Sequence, residues 1–331
     1  MERFALAAAV VLGFALTAAL CSLFVPLRRV LERREQNQQP AQSEQPRPAP
    51  LRAPLWGGLC AAAGTVAAVG VGWLAACVGQ PELLGSEGRL MTRLLTALAG
   101  SLAFGAVGLA EDLARMRSPA ALGLRRDVRL LLEALAAAFV LLLLQAAGCL
   151  PRGLDVPGAG YVLLGSAVPF LWAVLMVALA ECARIAERDE GTVCSAAFVA
   201  MLALMMAEAG LGVPGLAVLP AALAGALVAL LLWAFPPARL GVGCCGSLLA
   251  AGAIGCIPLS LDMTSLTVPL ALPFWAAGGL WAAQLLGAKR TGKPLRCWVK
   301  KHKMSPETVF LCSFALSAVG YVLALALLRW C

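Results

Sequence analysis

Between Phe4 and Leu328 the chain repeats one pattern about ten times: an apolar run of roughly 20 residues, then a break rich in charge, proline or glycine. A run of that length crosses the hydrocarbon of a bilayer as a helix. Inside lipid only helices or closed barrels satisfy every backbone N–H and C=O, and a barrel would need shorter, alternating segments. With 61% hydrophobic and 13% charged residues, too little polar surface remains for a soluble fold. The expectation is an all-α integral membrane protein, one polytopic unit over residues 1–331, its helices packed through abundant Ala and Gly.

The spans are expected at residues 4–26, 54–78, 90–110, 128–147, 161–180, 192–209, 216–235, 248–261, 266–287 and 309–328. Residues 28–53, which include QNQQPAQSEQPRPAP, lack apolar periodicity and are expected to be a disordered linker. Of the 26 Lys and Arg residues, all but Arg3, Arg89, Arg93, Arg152 and Arg329 lie in or beside the loops that follow odd-numbered spans. By the positive-inside rule those loops are cytoplasmic and both termini lie outside. Arg93 and Glu208, near outer helix ends, are expected to snorkel to the interface.

The 12 cysteines stand singly, apart from Cys244-Cys245, with no C-x-x-C spacing, and are read as small hydrophobes. His302 is the single histidine, which excludes a multi-histidine metal site. Membrane lipids, and no nucleic acid, are the expected partners of the basic loops.

Chemistry concentrates in Gly105–Glu133, GAVGLAEDLARMRSPAALGLRRDVRLLLE, where Glu111-Asp112 ends the third span and Arg115, Arg117, Arg125, Arg126 and Arg129 follow. Adjacent carboxylates present oxygens to a hard cation such as Mg²⁺, and arginines hold phosphate oxygens. On residue chemistry alone a second reading is equally open: acids ending a membrane helix, and arginines placed by the positive-inside rule. Arg129 and Glu133, four apart, are expected to pair. The run ECARIAERDE, residues 181–190, reads either as a solvated charged face or as a rebuilt site. His302, between lysines, reads as an exposed loop residue at a headgroup surface.

Three stretches carry a family resemblance. Pro54-Leu55-Trp56-Gly57-Gly58 resembles P-T-M-G-G before the second span; Gly108, Glu111, Asp112, Arg115, Gly123, Leu124 and Arg129–Glu133 match G-x-x-D-D-x-x-K, G-L and K-L-L-L-Q without a gap. Pro237–Leu248 resembles P-A-x-V-F-M-G-D-x-G-S-L, and Thr291-Gly292-Lys293 with Ser305-Pro306-Glu307 resemble the ends of a histidine loop. In order and spacing the chain is similar to the polyprenyl-phosphate sugar-1-phosphate transferase superfamily, nearest its phospho-N-acetylmuramoyl-pentapeptide transferase (MraY-type) branch. The resemblance implies about ten helices with cytoplasmic functional loops, and transfer of phospho-MurNAc-pentapeptide from a UDP-sugar to undecaprenyl phosphate with Mg²⁺. It implies a bacterial inner (plasma) membrane and leaves a homodimer open. It also implies that Asp112, Glu190, Cys244 and His302 line one basic cleft.

By that resemblance Glu111, Asp112 and His302 are the candidate catalytic residues. Arg115, Arg117, Arg129, Glu187 and Lys293 are the candidate substrate-binding residues, and Asp112 with Glu190 the candidate metal ligands. The departures fall on the chemistry. Cys244 stands at the family's ligand aspartate, Glu111 at the first aspartate of the pair, and Glu181, Arg184, Glu187 and Glu190 on the asparagine–aspartate loop. A thiol is a poor ligand for Mg²⁺, which binds oxygen in near-octahedral geometry. The expectation is a divergent homologue with weak or lost catalysis that still binds lipid phosphate or a partner; the alternative is an active sugar-1-phosphate transferase with an altered metal site. A transporter is the least favoured class, because the charges lie at helix ends rather than at midplane.

Overall fold

A computed structural model describes residues 2–38, 56–79, 88–117, 123–151, 153–156, 160–163, 165, 167–187, 191–212, 215–235, 238–291 and 306–328. The helices are α1 (Glu2–Gln38), α2 (Gly57–Gly79), α3 (Gly88–Arg117), α4 (Arg126–Ala146), α5 (Ala167–Ala186), α6 (Thr192–Gly210), α7 (Val218–Ala234), α8 (Gly243–Ser260), α9 (Thr267–Leu270), α10 (Leu272–Thr291) and α11 (Pro306–Leu328). Two short strands, β1 (Gly153–Val156) and β2 (Gly160–Leu163), separate α4 from α5. Seven helices among the described residues are long and apolar enough to cross a bilayer. An eighth crossing is added if Thr264–Leu270 and Leu272–Ala283, bent by 62°, form one broken span. The chain is a multi-pass membrane protein.

Several boundaries differ from the sequence reading, each for a local reason. Helix α3 runs to Arg117 instead of ending at Ala110. Arg115 reaches back one turn to Glu111 at 2.7 Å, and such an i, i+4 pair supports helical continuation. The acidic pair and two of the arginines are therefore helical residues. The expected fifth span begins late, at Ala167, because residues 160–163 pair antiparallel with 153–156 in the register Gly153↔Leu163 to Val156↔Gly160. Tyr161, Val162 and Val156 favour the extended conformation, and Gly160 opens β2 at φ 74°. That fifth span then continues to Ala186, which puts Glu181 and Arg184 on helix α5. Helix α1 is continuous to Gln38, and the rest of the stretch read as linker, residues 39–53, lies outside the described residues.

Helix α8 is the axis of the bundle. It is buried from Gly243 to Ser260, packed against α2, α3, α5 and α6. Its small residues permit this: Gly58 of α2 meets the backbone of Cys245 and Gly246, and a Cβ on Gly108 of α3 would collide with the Cys244 carbonyl. Glu208 does not snorkel. It is 1% exposed on α6, which is covered by α7, α8 and α11. Arg93 is half-buried, with its Nε shielded and lacking a hydrogen-bond partner.

Candidate functional site

Asp112 sits on the last turns of α3, one turn beyond Gly108. With no side chain at Gly108, α3 lies directly on the start of α8. Gly243 adopts φ 73°, a left-handed turn that suits glycine, and sends the chain into α8 with its first amides pointing at α3. Asp112 Oδ1 accepts the Cys244 N–H at 3.0 Å and Oδ2 accepts the Cys245 N–H at 2.9 Å. Asp112 thus caps a helix 132 residues away in sequence, placing negative charge on two donors that helix geometry leaves unpaired. The segment before α8 is held too, because Gly57 and Gly58 amides donate to the Gly241 and Val242 carbonyls at 3.2 and 2.9 Å.

Around this cap lies a network of buried charge. Arg115 reaches Glu111 at 2.7 Å, Glu187 at 3.7 Å and Asp112 at 3.9 Å. Arg129, from α4, donates to Glu181 of α5 at 2.8 Å and lies 3.6 Å from Glu111 and 3.9 Å from Glu133. Arg184 donates to the other oxygen of Glu181 at 2.7 Å. The Cys244 thiol donates to Glu187 Oε2 at 3.3 Å. Five carboxylates and three guanidiniums from α3, α4, α5 and the residue after it therefore meet at the start of α8. Two of the arginines join segments: Arg115 links α3 to Glu187 after α5, and Arg129 ties α3, α4 and α5, whereas Arg184 pairs within α5. Charges this buried depend on their partners, so removing Arg129 takes a counter-ion from Glu111, Glu133 and Glu181 at once.

The network brings together Glu111, Asp112, Arg115, Arg129, Glu187 and Cys244 of the residues singled out from sequence. Arg117 stands apart, exposed at the end of α3. Glu190, Lys293 and His302 lie outside the described residues, and with them the expected convergence of all four cleft residues. Glu181 and Arg184 correct the solvated-face reading, since their side chains are 23% and 12% exposed and both are ion-paired. Arg129 and Glu133 form the expected ion pair, at 3.9 Å, and Arg129 makes its hydrogen bond to Glu181 at 2.8 Å. Glu133 is fully buried, and neither of its oxygens has a hydrogen-bond partner. Sequence spacing could have hinted at Glu181–Arg184 as an i, i+3 pair; the contact with Arg129, 52 residues earlier, has no local signal.

These donors do not fit Mg²⁺. Among the described residues no group of three or more His, Cys, Asp or Glu side chains is arranged to hold a metal ion. Both Asp112 oxygens already accept amides, Glu111 Oε1 faces two guanidiniums, and the position nearest Asp112 on α8 offers sulfur. What the arrangement does is fix helix ends and neutralise carboxylates with guanidinium groups.

Comparison with known proteins places this geometry. The model of the family described as Glycosyl transferase family 4 matches residues 94–262, which span α3 to α8 and so contain the whole charge network. A phospho-N-acetylmuramoyl-pentapeptide-transferase of Mycobacterium tuberculosis is 27% identical over 265 residues, covering 72% of each chain. One from Desulforudis audaxviator is 34% identical over 175 residues, 48% of this chain and 50% of its own. One from a Synechococcus species is 29% identical over 212 residues, 63% of this chain and 55% of its own. The match runs through the helices that carry Asp112, Arg129, Glu181 and Cys244, and the chain belongs to glycosyl transferase family 4, as a relative of the phospho-N-acetylmuramoyl-pentapeptide-transferases.

Proposed function

We propose that this protein is a phospho-sugar-transferase homologue of the bacterial plasma membrane that has lost metal-dependent transfer and keeps the binding of an undecaprenyl-type lipid phosphate. The observation that carries the reading is the use of Asp112 as a cap, with both oxygens on the amides of Cys244 and Cys245 and a thiol at the position where the family places a carboxylate. Phosphoryl transfer depends on placement and on neutralising charge with a cation, so a carboxylate committed to holding a helix supports little of it. The network end of the bundle faces the cytoplasm in this reading, since the end of α3, the end of α5 and the start of α8, which border the loops after spans three, five and seven, meet there. Arg115 and Arg129 are neutralised by carboxylates, whereas Arg117, Arg125 and Arg126 are exposed at the same end and are the residues offered to a lipid phosphate.

The test is exchange of labelled UMP into UDP-MurNAc-pentapeptide by purified protein with undecaprenyl phosphate and Mg²⁺. No exchange is expected, together with retained binding of undecaprenyl phosphate. Replacing Arg117, Arg125 and Arg126 with Gln should weaken that binding about a hundredfold at low salt, at about 1 kcal/mol for each headgroup contact. Robust exchange with Mg²⁺ overturns the reading.

One observation favours the alternative of an active enzyme with an altered metal site: Glu111 Oε2 and both Glu133 oxygens are buried without hydrogen-bond partners. In that case exchange appears with Mn²⁺ and is lost in Glu111→Gln. The transporter reading loses ground, because the broken span Thr264–Ala283 contains no ionisable residue.

A further inference from the structure

We propose that Cys21 and Cys60 are a redox-active thiol pair that closes into a disulfide between α1 and α2. The pairing stands on the register of the two helices. Gly72 lies against Ala9, Gly64 lies against Thr17, and Phe24 stacks on Trp56 with ring centroids 5.6 Å apart. The residue numbers in each pair add to 80 or 81, so α1 and α2 run antiparallel in one register over this length. Cys21 and Cys60 fall on the same ladder, one helical turn from Thr17 and Gly64, and both are buried, which sets their side chains against each other between the two helices.

Distance is the usual obstacle to a disulfide between helices, because ordinary packing holds axes about 8–10 Å apart while bridged Cα atoms stand about 4.4–6.8 Å apart. Gly64 relieves it. A Cβ there would collide with Thr17, so the two backbones approach closely one turn from the sulfurs. Both thiols are buried, at 0% and 1% exposure, beneath the Phe24–Trp56 stack. Bulky or charged oxidants are therefore excluded, and hydrogen peroxide, small and uncharged, is the class of oxidant that can enter. One thiol gives up its proton and its sulfur attacks a peroxide oxygen; an S–O bond forms, the O–O bond breaks, and the departing hydroxide takes that proton and leaves as water. The second sulfur attacks the resulting sulfenic sulfur, the S–S bond forms, and the hydroxyl leaves as a second water carrying the remaining thiol proton. The sulfurs lose two electrons to the two peroxide oxygens.

The bond would act close to the candidate site. Gly57 and Gly58, on the turn of α2 before Cys60, hold the Gly241 and Val242 carbonyls, and Cys245 beyond them donates to Asp112. A staple at Cys60 fixes the end of α2 that positions the start of α8.

The experiment uses full-length protein in lipid nanodiscs, treated with hydrogen peroxide, unfolded in SDS, alkylated and digested without reduction. Wild type should yield the Cys21 and Cys60 peptides joined, with two fewer alkylated cysteines, and dithiothreitol should restore both. Cys21→Ser and Cys60→Ser should each lack the joined peptide, with melting curves recorded to confirm folding. Exposed Cys312 is the internal control for oxidant dose. The proposal is overturned if Cys312 is oxidised while Cys21 and Cys60 both remain alkylatable in wild type, or if either is found joined to a different cysteine such as Cys194 or Cys245.

Discussion

Asp112→Ala removes the acceptor of two buried amides in one step. Loss of an ordinary helix cap costs about 0.5–2 kcal/mol. Here the cost is larger, because the carboxylate is 1% exposed and water has no easy route to the Cys244 and Cys245 amides. Hydrogen bonds to a charged acceptor contribute about 1.5–3 kcal/mol each, so two of them set an expected loss of about 3–6 kcal/mol. Relief of the like charge of Glu187 moves the figure toward the lower end of that range. Asp112→Asn keeps one acceptor oxygen and turns an NH₂ toward the other amide, and should lose about half as much. The assay is unfolding of the purified protein in mixed detergent micelles, followed by tryptophan fluorescence, with both variants compared with wild type. A loss below about 1 kcal/mol in Asp112→Ala would refute the capping argument. A gain in stability would do so more decisively, since it would mark Asp112 as a strained functional carboxylate rather than a structural one.

Arg129→Gln leaves Glu111, Glu133 and Glu181 without their shared partner and should cost about 3–5 kcal/mol in the same assay; adding Glu181→Gln should recover part of it, and strictly additive losses would argue against the network. Cys244→Asp sets a carboxylate where the thiol now donates to Glu187, so it should lower stability without divalent cations and regain it with Mn²⁺ or Mg²⁺, with no UMP exchange restored. Absence of any cation-dependent shift in melting temperature would count against that reading. Gly108→Ala should cost about 1–3 kcal/mol by forcing α3 away from the Cys244 carbonyl, whereas Gly105→Ala, whose Cβ would meet the Leu249 side chain at 3.3 Å and the Cys245 carbonyl at an ordinary 3.7 Å, should cost less; equal losses would show that α3 and α8 are not in tight contact there.

The apolar runs made the membrane helices legible, because lipid imposes a length on any span. Boundaries near charge were harder to read. Glu111 and Asp112 look like a helix end, yet the Glu111–Arg115 pair carries α3 onward, and neither acid meets water. The stretch after Ala180 looked solvated for a similar reason: charge normally ends a span, and only the arrival of Arg129 from α4 makes Glu181 part of the interior. Sequence spacing singled out the segments around Gly108, Asp112 and Cys244, but it could not reveal that the carboxylate takes backbone amides. That depends on the positive φ of Gly243 and on the distance between two backbones, neither of which a residue pattern records.

The enclosure of α8 bears on how the protein is made. A helix that touches protein on every side presents no face to lipid, so it gains its place in the membrane only when its neighbours are already there. Asp112 is synthesised 132 residues before the amide it caps, an interval of roughly 7–26 s at about 5–20 residues per second. Through that interval Arg115, on the adjoining turn, is the local charge that keeps the carboxylate neutralised. Nascent chains arrested before Gly243 should accordingly leave Asp112 open to carbodiimide labelling and lose that reactivity once Ser260 has emerged; labelling that stays constant across the two lengths would mean that α3 is covered by some other segment first.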